Sequence, residues 1–380
     1  MTSKKIITDF FKAIKGKFVF YKNSNVYNKI IKGFYKELKV IKKVKFVLKK
    51  VPFSETSLSK SHFVSKEAKK ALKKIKHSHE STFTIGNTEI TVSLLTLNNV
   101  STQKRSEHMH KVFKLLSFML GMSTLEMETL HIVLFLHDDK KIITDKYEIL
   151  SPKHVNTAVT YACSKNGQIF LYRSEEWFKV LSHELMHSLC LDFSGLDIKT
   201  LQKKVKTIFN IKSEFEISES YSEFWATIIN CAFLSFDIST SFKSFKENIT
   251  MMIDFERIFS LFQCVKILKY MKIDNYESFI NEQSNLYEEK TNVFAYYILK
   301  TILLYRYDEF ISSCNSNNNP SNPVLFYKSP CNLNNLYEFI FSNYYTNGLL
   351  DDFKVMDDVF SNIKNKVLLH TMRMTLFEKK

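Results

Sequence analysis

The sequence predicts an α+β fold that is mostly helical, with a small antiparallel or mixed sheet. Residues 81–97 (STFTIGNTEITVSLLTL) and 156–173 alternate apolar and polar positions around short turn sequences, a pattern typical of β-hairpins. Beyond Gly195, apolar residues instead recur every three or four positions, which is the helical period. The chain has 380 residues, 45% of them hydrophobic, and this is ample for a substantial core.

The N-terminal fifth of the chain differs in charge from the rest. Residues 1–80 hold 22 Lys and no Arg against five acidic residues, which gives +17, and the remaining residues sum to −2. Apolar residues at helical spacing among these lysines predict helices over 1–75, including 34–50. One interpretation is attachment to an acidic partner, either nucleic acid or an anionic membrane surface. The simpler one is a solvated lysine-rich face packed on the rest of the protein.

Between these regions the chain carries its predicted strands. The first hairpin turns at Gly86-Asn87, a helix follows near 106–120, and ETLHIVLFLHDD (128–139) is predicted as a buried strand. The second hairpin runs through NTAVTYAC, SKNG and QIFLYR. The helix directly after it carries the sequence HELMH.

That helix has clear boundary signals. Ser174 is the expected N-cap, Glu175 and Glu176 would occupy the first turn, where the helix dipole favours negative charge, and Gly195 would end the helix. Apolar residues at helical spacing from Trp177 onward predict that one face is buried.

The remainder is predicted to be almost entirely helical. The candidate helices are 197–210, 216–236, 241–271, 275–288, 291–311, 334–346 and 350–374. The stretch 314–332 is rich in Asn, Ser and Pro and is predicted as a surface loop. We therefore divide the chain into a lysine-rich helical region (1–80), a core with the sheet and the HELMH helix (81–240), and a helical subdomain (241–380).

The sequence HELMH, residues 183 to 187, has the spacing of a metal site. His183 and His187 are at i and i+4, so both imidazoles can face one ion on one side of a helix. Glu184 lies about 100° round the helix, where it can reach a water on the metal. A random chain of this composition would contain HExxH with a probability of about 0.02.

A third ligand is needed, because catalytic zinc normally takes three protein ligands and a water. The HExxHxxGxxH pattern fails, since Phe193 stands where the third histidine would be, and Asp192 is a weaker alternative one residue earlier. The stretch 217–236 offers Glu219 and Glu223 one helical turn apart on a helix with an apolar face. Two such carboxylates are costly to bury without a cation nearby.

HELMH followed by ESYSE (219–223) resembles the gluzincin zinc peptidases, in which HExxH precedes a helix bearing ExxxD or ExxxE. The resemblance implies a zincin-like core with one Zn²⁺, held by His183, His187 and Glu219. Glu184 would be the general base and Glu223 would hydrogen-bond a ligand histidine. The 31 residues between His187 and Glu219 exceed the spacing in thermolysin-like members, and the reverse assignment of Glu219 and Glu223 stays open.

Residues 150–240 are also similar to uncharacterised metallopeptidase-like proteins of giant DNA viruses, a resemblance that implies no substrate. In zincins an edge strand beside the active-site helix binds the extended peptide, and Gln168, Phe170 and Tyr172 occupy the matching place. An ordinary edge strand is the alternative. Tyr221 is the first choice for a transition-state donor, with Tyr296 or Tyr297 as others. His131, His137, His154 and His370 are expected to be structural.

The six cysteines are scattered without a CxxC pair, so we expect neither a thiolate zinc site nor a disulfide scaffold. No apolar run approaches a membrane span and the start lacks a signal-peptide apolar core. We expect a soluble intracellular protein, cytoplasmic or, if viral, associated with the virion.

Two functions from different classes are compatible with these patterns. The first is zinc-dependent peptide hydrolysis of a peptide or protein substrate. The alternative is a non-enzymatic binding protein that uses the basic residues 1–75 on an inactive zincin scaffold. The basic region could also mask the active site.

Overall fold

The structure, a computed structural model, describes residues 3–20, 23–42, 44–53, 55–318 and 325–379. The helices are α1 Ser3–Ile14, α2 Asn25–Val40, α3 Lys66–Leu72, α4 Thr102–Leu120, α5 Pro152–Val155, α6 Trp177–Ser188, α7 Lys199–Ile208, α8 Ile217–Ile238, α9 Phe242–Tyr270, α10 Tyr276–Ser278, α11 Lys300–Tyr305, α12 Tyr307–Ser316, α13 Pro330–Asn343, α14 Asn347–Ser361 and α15 Lys366–His370. The strands are β1 Lys49–Lys50, β2 His77–Ile85, β3 Thr88–Thr96, β4 Thr129–Phe135, β5 Ala158–Thr160 and β6 Asn166–Leu171. Short 3-10 and π-helical turns are Leu58–Lys60, Phe279–Gln283, Ser284–Leu286 and Phe294–Leu299.

The six strands form one mixed sheet in the order β1-β2-β3-β4-β6-β5. β4 pairs in parallel with both β3 and β6, and the other pairs are antiparallel. Ile132 in β4 lies between Val92 in β3 and Ile169 in β6, so β-branched side chains meet across the sheet centre. Both predicted hairpins and the buried strand are confirmed, as is the α+β class with a small mixed sheet.

Both faces of the sheet are covered. In β4, Ile132 and Leu134 point into the main helical core, whereas Val133 and Phe135 point into a smaller cluster formed with residues 58–72. This alternation is the period of two expected for a strand buried on both sides. The helices α6 and α8, which carry the candidate ligands, lie on the main-core side.

The N-terminal region is less helical than predicted. α2 ends at Val40, and the segment after it is largely irregular until β1, which pairs with β2 at the sheet edge. The predicted helix over 34–50 is therefore wrong beyond Val40, where the β-branched Val40, Ile41 and Val44 favour extended backbone. β2 also begins four residues before the predicted hairpin, at His77.

The C-terminal helices differ from the prediction mainly at the end of the chain. The segment 350–374 is two helices, α14 and α15, and not one. Residues 371–379 then run through the interior without regular secondary structure, with Met372 and Leu376 fully buried. The predicted helix at 275–288 consists of α10 and the two short turns that follow it. The predicted loop at 314–332 overlaps two helices: α12 includes its first three residues, and α13 begins at Pro330. Residues 319–324 of this loop lie outside the described residues.

Apolar side chains from all three predicted regions share one core. Phe10 of α1 contacts Phe259 and Phe262 of α9, and Phe34 of α2 contacts Phe118 of α4. The region boundaries themselves stay predictions. Among the described residues, none of the helices has the length and apolar character that a membrane crossing requires.

A glycine lets α6 pack directly on the sheet. A Cβ atom added to Gly167 in β6 would lie 2.9 Å from Ser188 Oγ at the end of α6 and 3.0 Å from Leu130 Cδ1. Only a residue without a side chain allows this approach. The close contact fixes the helix that carries HELMH against the strand that precedes it.

Candidate metal centre

The HELMH helix begins later than predicted. α6 starts at Trp177, after Glu176 in a left-handed conformation (φ 60°), so Ser174 is not its N-cap. Glu176 lies before the first turn and accepts hydrogen bonds from the backbone N–H groups of Met374 and Thr375, at 2.8 and 2.6 Å. α6 ends at Ser188 and not at Gly195. Glu176 is predicted to interact with the helix dipole in the first turn, but it anchors the C-terminal segment instead.

Three ligand atoms converge between α6 and α8. His183 Nε2 lies 3.0 Å from His187 Nε2 and 3.1 Å from Glu219 Oε2, and His187 Nε2 lies 3.4 Å from that same oxygen. The i, i+4 spacing places both imidazoles on the face of α6 that meets α8. This group could bind a metal ion.

The donor set fits such an ion. Tetrahedral ligand atoms with bonds of about 2.0–2.1 Å are about 3.3 Å apart, close to the three separations found here. Glu219 Oε2 is buried, and no hydrogen bond of good geometry reaches it from the described residues. Two imidazole nitrogens that face each other likewise need a proton or a cation between them. Three protein ligands leave a fourth position for water.

A second carboxylate lies behind each histidine. Glu223 Oε2 is 3.1 Å from His183 Nδ1, and Asp192 Oδ2 is 2.6 Å from His187 Nδ1. Glu219 is therefore the carboxylate on the Nε2 side of His183, and Glu223 is the one on the Nδ1 side. Asp192, the weaker alternative for third ligand, is on the Nδ1 side, where Ser194 donates to it at 2.7 Å.

Two buried lysines, which were not predicted, contact Glu223. Lys179 Nζ and Lys300 Nζ both reach Glu223 Oε1, the latter at 3.3 Å. The sequence does contain a signal for each lysine. Lys179 is four residues before His183 and so lies on the same helix face as the two histidines. Lys300 interrupts the apolar run VFAYYILKTILL. A charged residue in such a run indicates a buried partner.

Glu184 lies beside the triad of His183, His187 and Glu219, in a small cavity. The cavity, about 40 Å³, is lined by Glu184, His183, Tyr296, Met374 and residues 155–158. This volume suits about one water molecule. Burial raises the pKa of Glu184 above its ordinary value, although the two histidines act in the opposite direction.

Carboxylates dominate the charge of this buried site. Burial lowers the pKa of His187, but Glu219 and Asp192 outweigh it and raise that pKa well above its ordinary value. The pKa of His183 is likewise raised, by Glu219 and Glu223 against burial. When the acids are ionised and the histidines neutral, the site carries four negative and two positive charges, those of Glu184, Asp192, Glu219, Glu223, Lys179 and Lys300. One divalent cation would neutralise it.

The structure does not bring Tyr221 to the triad. Tyr221 is two residues after Glu219, about 200° round α8, and its hydroxyl accepts a hydrogen bond from Phe326 N at 3.0 Å. Tyr296 is beside the site instead. Its ring centroid is 5.8 Å from that of His183, and burial, Glu219 and Glu184 raise the pKa of its hydroxyl.

The predicted substrate strand is not an edge strand. β6 pairs with β4 on one side and β5 on the other, so Gln168, Phe170 and Tyr172 cannot bind a peptide by strand addition. Phe170 and Tyr172 also point into the cluster on the far face of the sheet. The edge is the three-residue β5, and Ala158 at its start lines the cavity of Glu184. The hairpin was predicted correctly, but its first strand lies outside, not its second.

Two cysteines form a disulfide next to the motif, which contradicts the expectation from their spacing. Cys163 and Cys190 are bonded, and the backbone N–H groups of both donate to His187 O, at 3.1 and 3.0 Å. The Lys328 amine lies 3.2 and 3.0 Å from the two sulfurs. The scattered spacing of the cysteines therefore did not reveal this pair.

The four histidines that are predicted to be structural make local contacts away from the triad. His131 Nε2 lies 2.8 Å from Ser93 Oγ, His137 Nδ1 accepts from Asp139 N, His154 Nδ1 accepts from Ser151 N, and His370 lies 2.9 Å from Asp145. These contacts agree with the structural role expected for them.

Comparison with known proteins finds no match for the chain: no family model, no curated protein and no solved structure is similar to it. The function is therefore argued from the residues of the site.

Proposed function

We propose that the protein is a zinc-dependent hydrolase of peptide bonds, of the gluzincin type. The observation that carries the proposal is the convergence of two imidazole nitrogens and one carboxylate oxygen within 3.4 Å, with the carboxylate of Glu184 beside them. His183, His187 and Glu219 would hold the ion, and this ligand type suits Zn²⁺. When bound, the metal supplies Lewis-acid chemistry, which acidifies water and polarises a carbonyl group.

Glu184 is the general base of this proposal. Its cavity suits a single water, and its raised pKa brings it closer to the operating pH, which favours proton transfer. Glu184 would take a proton from the attacking water and pass it to the leaving amine. The neutral hydroxyl of Tyr296 would donate a hydrogen bond to the carbonyl oxygen as negative charge develops there.

Peptide access requires the cavity wall to move. A volume of about 40 Å³ excludes a peptide, and the wall includes the start of β5 and Met374 of the C-terminal segment. β5 is the outermost strand of the sheet, so its free edge offers backbone groups for an extended chain. We propose this edge, in place of β6, as the substrate strand.

Metal analysis and one substitution test the proposal. Purified wild-type protein should hold about one zinc per chain and cleave peptides from a fluorogenic library, and His183→Ala should lose both properties. Glu184→Gln should keep the zinc and lose hydrolysis, because the amide cannot accept the proton. Wild-type protein without zinc would refute the site, and a Glu184→Gln variant as fast as wild type would refute the mechanism.

A second candidate function is binding of an acidic partner by α2. Lys29, Lys32, Lys36 and Lys39 are exposed along this helix, opposite the face that the core buries. Because that face belongs to the core, deletion of the region would unfold the protein. Reversal of these four charges to Glu is the better test: it should abolish salt-dependent binding to heparin or anionic vesicles while zinc content stays the same.

A further inference from the structure

Three helices present residues one turn apart toward the same point. The α6 face carries Lys179, His183 and His187, each four residues from the next, and α8 contributes Glu219 and Glu223. The third helix, Phe294–Leu299 continuing into α11, contributes Tyr296 and Lys300. The candidate ligands His183, His187 and Glu219 occupy one end of this arrangement. Glu223 and the two lysines occupy the other.

Glu223 divides its two oxygens between these ends. Oε1 receives Lys179 and Lys300, while Oε2 lies 3.1 Å from His183 Nδ1. The side chains of Glu223 and both lysines are no more than 2% exposed, so bulk water competes little with either contact. A carboxylate held at one oxygen by two cations cannot rotate freely about its last bond.

The lysines are themselves anchored by the C-terminal segment. Lys300 Nζ donates to Met374 O at 2.7 Å, and Lys179 Nζ lies 3.8 Å from Met374 Sδ. The backbone of Met374 is in turn held by Glu176. The two ammonium groups therefore have fixed positions, and they come from separate helices.

We propose that Lys300 and Lys179 are positioning residues of the metal centre. They hold Glu223 so that Oε2 faces His183 Nδ1, keeps the proton on that nitrogen and commits Nε2 to the metal. The inference rests on the proposed metal function. It adds that the affinity of the site depends on two cations that do not touch the ion.

A merely structural ion pair would behave differently. If the lysines only stabilise the fold, their loss would lower the melting temperature without a specific change in metal affinity. A direct electrostatic effect of two cations on a nearby cation would be repulsive, so removing one lysine would strengthen metal binding. If the lysines position Glu223, removal of one lysine should instead weaken metal binding.

The test compares zinc dissociation constants of full-length variants, measured by competition with a chromophoric chelator. Lys300→Met should weaken zinc binding about 10-fold or more, the range for loss of a group that orients a ligand. Lys266→Met is the matched control: Lys266 is equally buried, in α9, and bonds Thr371 O at 2.6 Å. It should leave the dissociation constant unchanged.

A double-mutant cycle separates positioning from general destabilisation. Lys300→Met should have little further effect when Glu223 is already Gln, because the carboxylate it positions is gone. The visible absorption bands of the Co²⁺-loaded protein should shift in Lys300→Met, as the geometry around His183 changes, and not in Lys266→Met. Lys179→Met serves as the second variant, with the same expectations, where Lys300→Met does not fold.

Two outcomes overturn the inference: zinc binding by Lys300→Met and Lys179→Met as tight as wild type, or a loss that persists in full in the Glu223→Gln background. Wild-type protein that binds no zinc would instead contradict the proposed function on which the inference rests.

Discussion

His187 Nδ1 lies 2.6 Å from Asp192 Oδ2, an acidic residue five positions further along the chain and outside the helix that carries the histidine. This carboxylate is 1% exposed and also accepts hydrogen bonds from the backbone N–H and hydroxyl of Ser194. Both histidines of the site thus have a carboxylate within 3.1 Å of the nitrogen away from the proposed metal position, and the two carboxylates come from different elements.

Asp192→Asn should weaken metal binding about 10-fold, because an amide is a weaker acceptor for the Nδ1 proton and can present its NH₂ group instead. Competition with a chelator measures the change. Asp197→Asn, at an exposed acid in the same loop, is the control and should bind zinc like wild type. Equal affinity of Asp192→Asn and wild type would show that His187 needs no orienting partner.

Metal binding should release protons and weaken as the pH falls. Without metal, the surrounding carboxylates raise the pKa of both His183 and His187, and a metal binds only the unprotonated nitrogen. Because the pKa values are raised, the loss of affinity begins above pH 6.5, the ordinary histidine value. Below both pKa values the association constant should fall by up to about 100-fold per pH unit, since two protons compete.

Calorimetry in buffers with different ionisation enthalpies gives the number of protons released. We expect a value between one and two near neutral pH, and a smaller value for Asp192→Asn, whose His187 loses one of the charges that raise its pKa. An affinity that stays constant between about pH 8 and about pH 6 would contradict the protonation state inferred for the metal-free site.

Tyr296→Phe should slow hydrolysis about 100-fold, because the hydrogen bond to the developing oxyanion is lost. Zinc affinity should change far less, although the Tyr296 hydroxyl also bonds Glu219. The neighbouring Tyr297 is a matched control: its hydroxyl donates to Met372 O at 2.5 Å, away from the cavity. Tyr297→Phe and Tyr221→Phe should lower stability and leave kcat close to that of wild type. A kcat unaffected by Tyr296→Phe would remove this tyrosine from the mechanism.

The sequence could bring the candidate ligand residues together because their geometry is local. His183 and His187 are one turn apart on one helix, as are Glu219 and Glu223, so each pair could be placed on a face before the helices were docked. Which carboxylate meets Nε2 depends on how α6 and α8 pack, and no sequence spacing encodes that. The contacts of Lys300 and Asp192 were missed for the same reason.

The errors have a common physical origin as well. The second hairpin was recognised from its alternating pattern, but which of its strands pairs with β4 is a long-range choice between Gln168–Leu171 and Ala158–Thr160. Residues 371–374 are predicted to end a helix that begins at 350, yet they belong to an irregular, largely buried segment, 371–379, that Glu176 and Glu256 hold. Tertiary contacts override local periodicity in such segments.

The Cys163–Cys190 disulfide should contribute to stability, although the sequence gave no indication of it. It closes a loop of 27 residues, for which the loss of unfolded-state entropy amounts to about 3.5 kcal/mol. Both half-cystines have positive φ, 53° and 58°, a conformation that costs about 1 kcal/mol or more in a residue other than glycine. The covalent link holds the backbone there.

Reduction of the disulfide with a phosphine should therefore lower the Tm measured by circular dichroism. Cys163→Ser/Cys190→Ser should show the lower Tm without reductant and no further change with it. Cys331→Ser, at an exposed free thiol, is the control and should respond to reduction like wild type. Because both half-cystines bond the carbonyl of His187, reduction should also weaken zinc binding. A wild-type Tm indifferent to reduction would show that the segment from Cys163 to Cys190 is held by its packing alone.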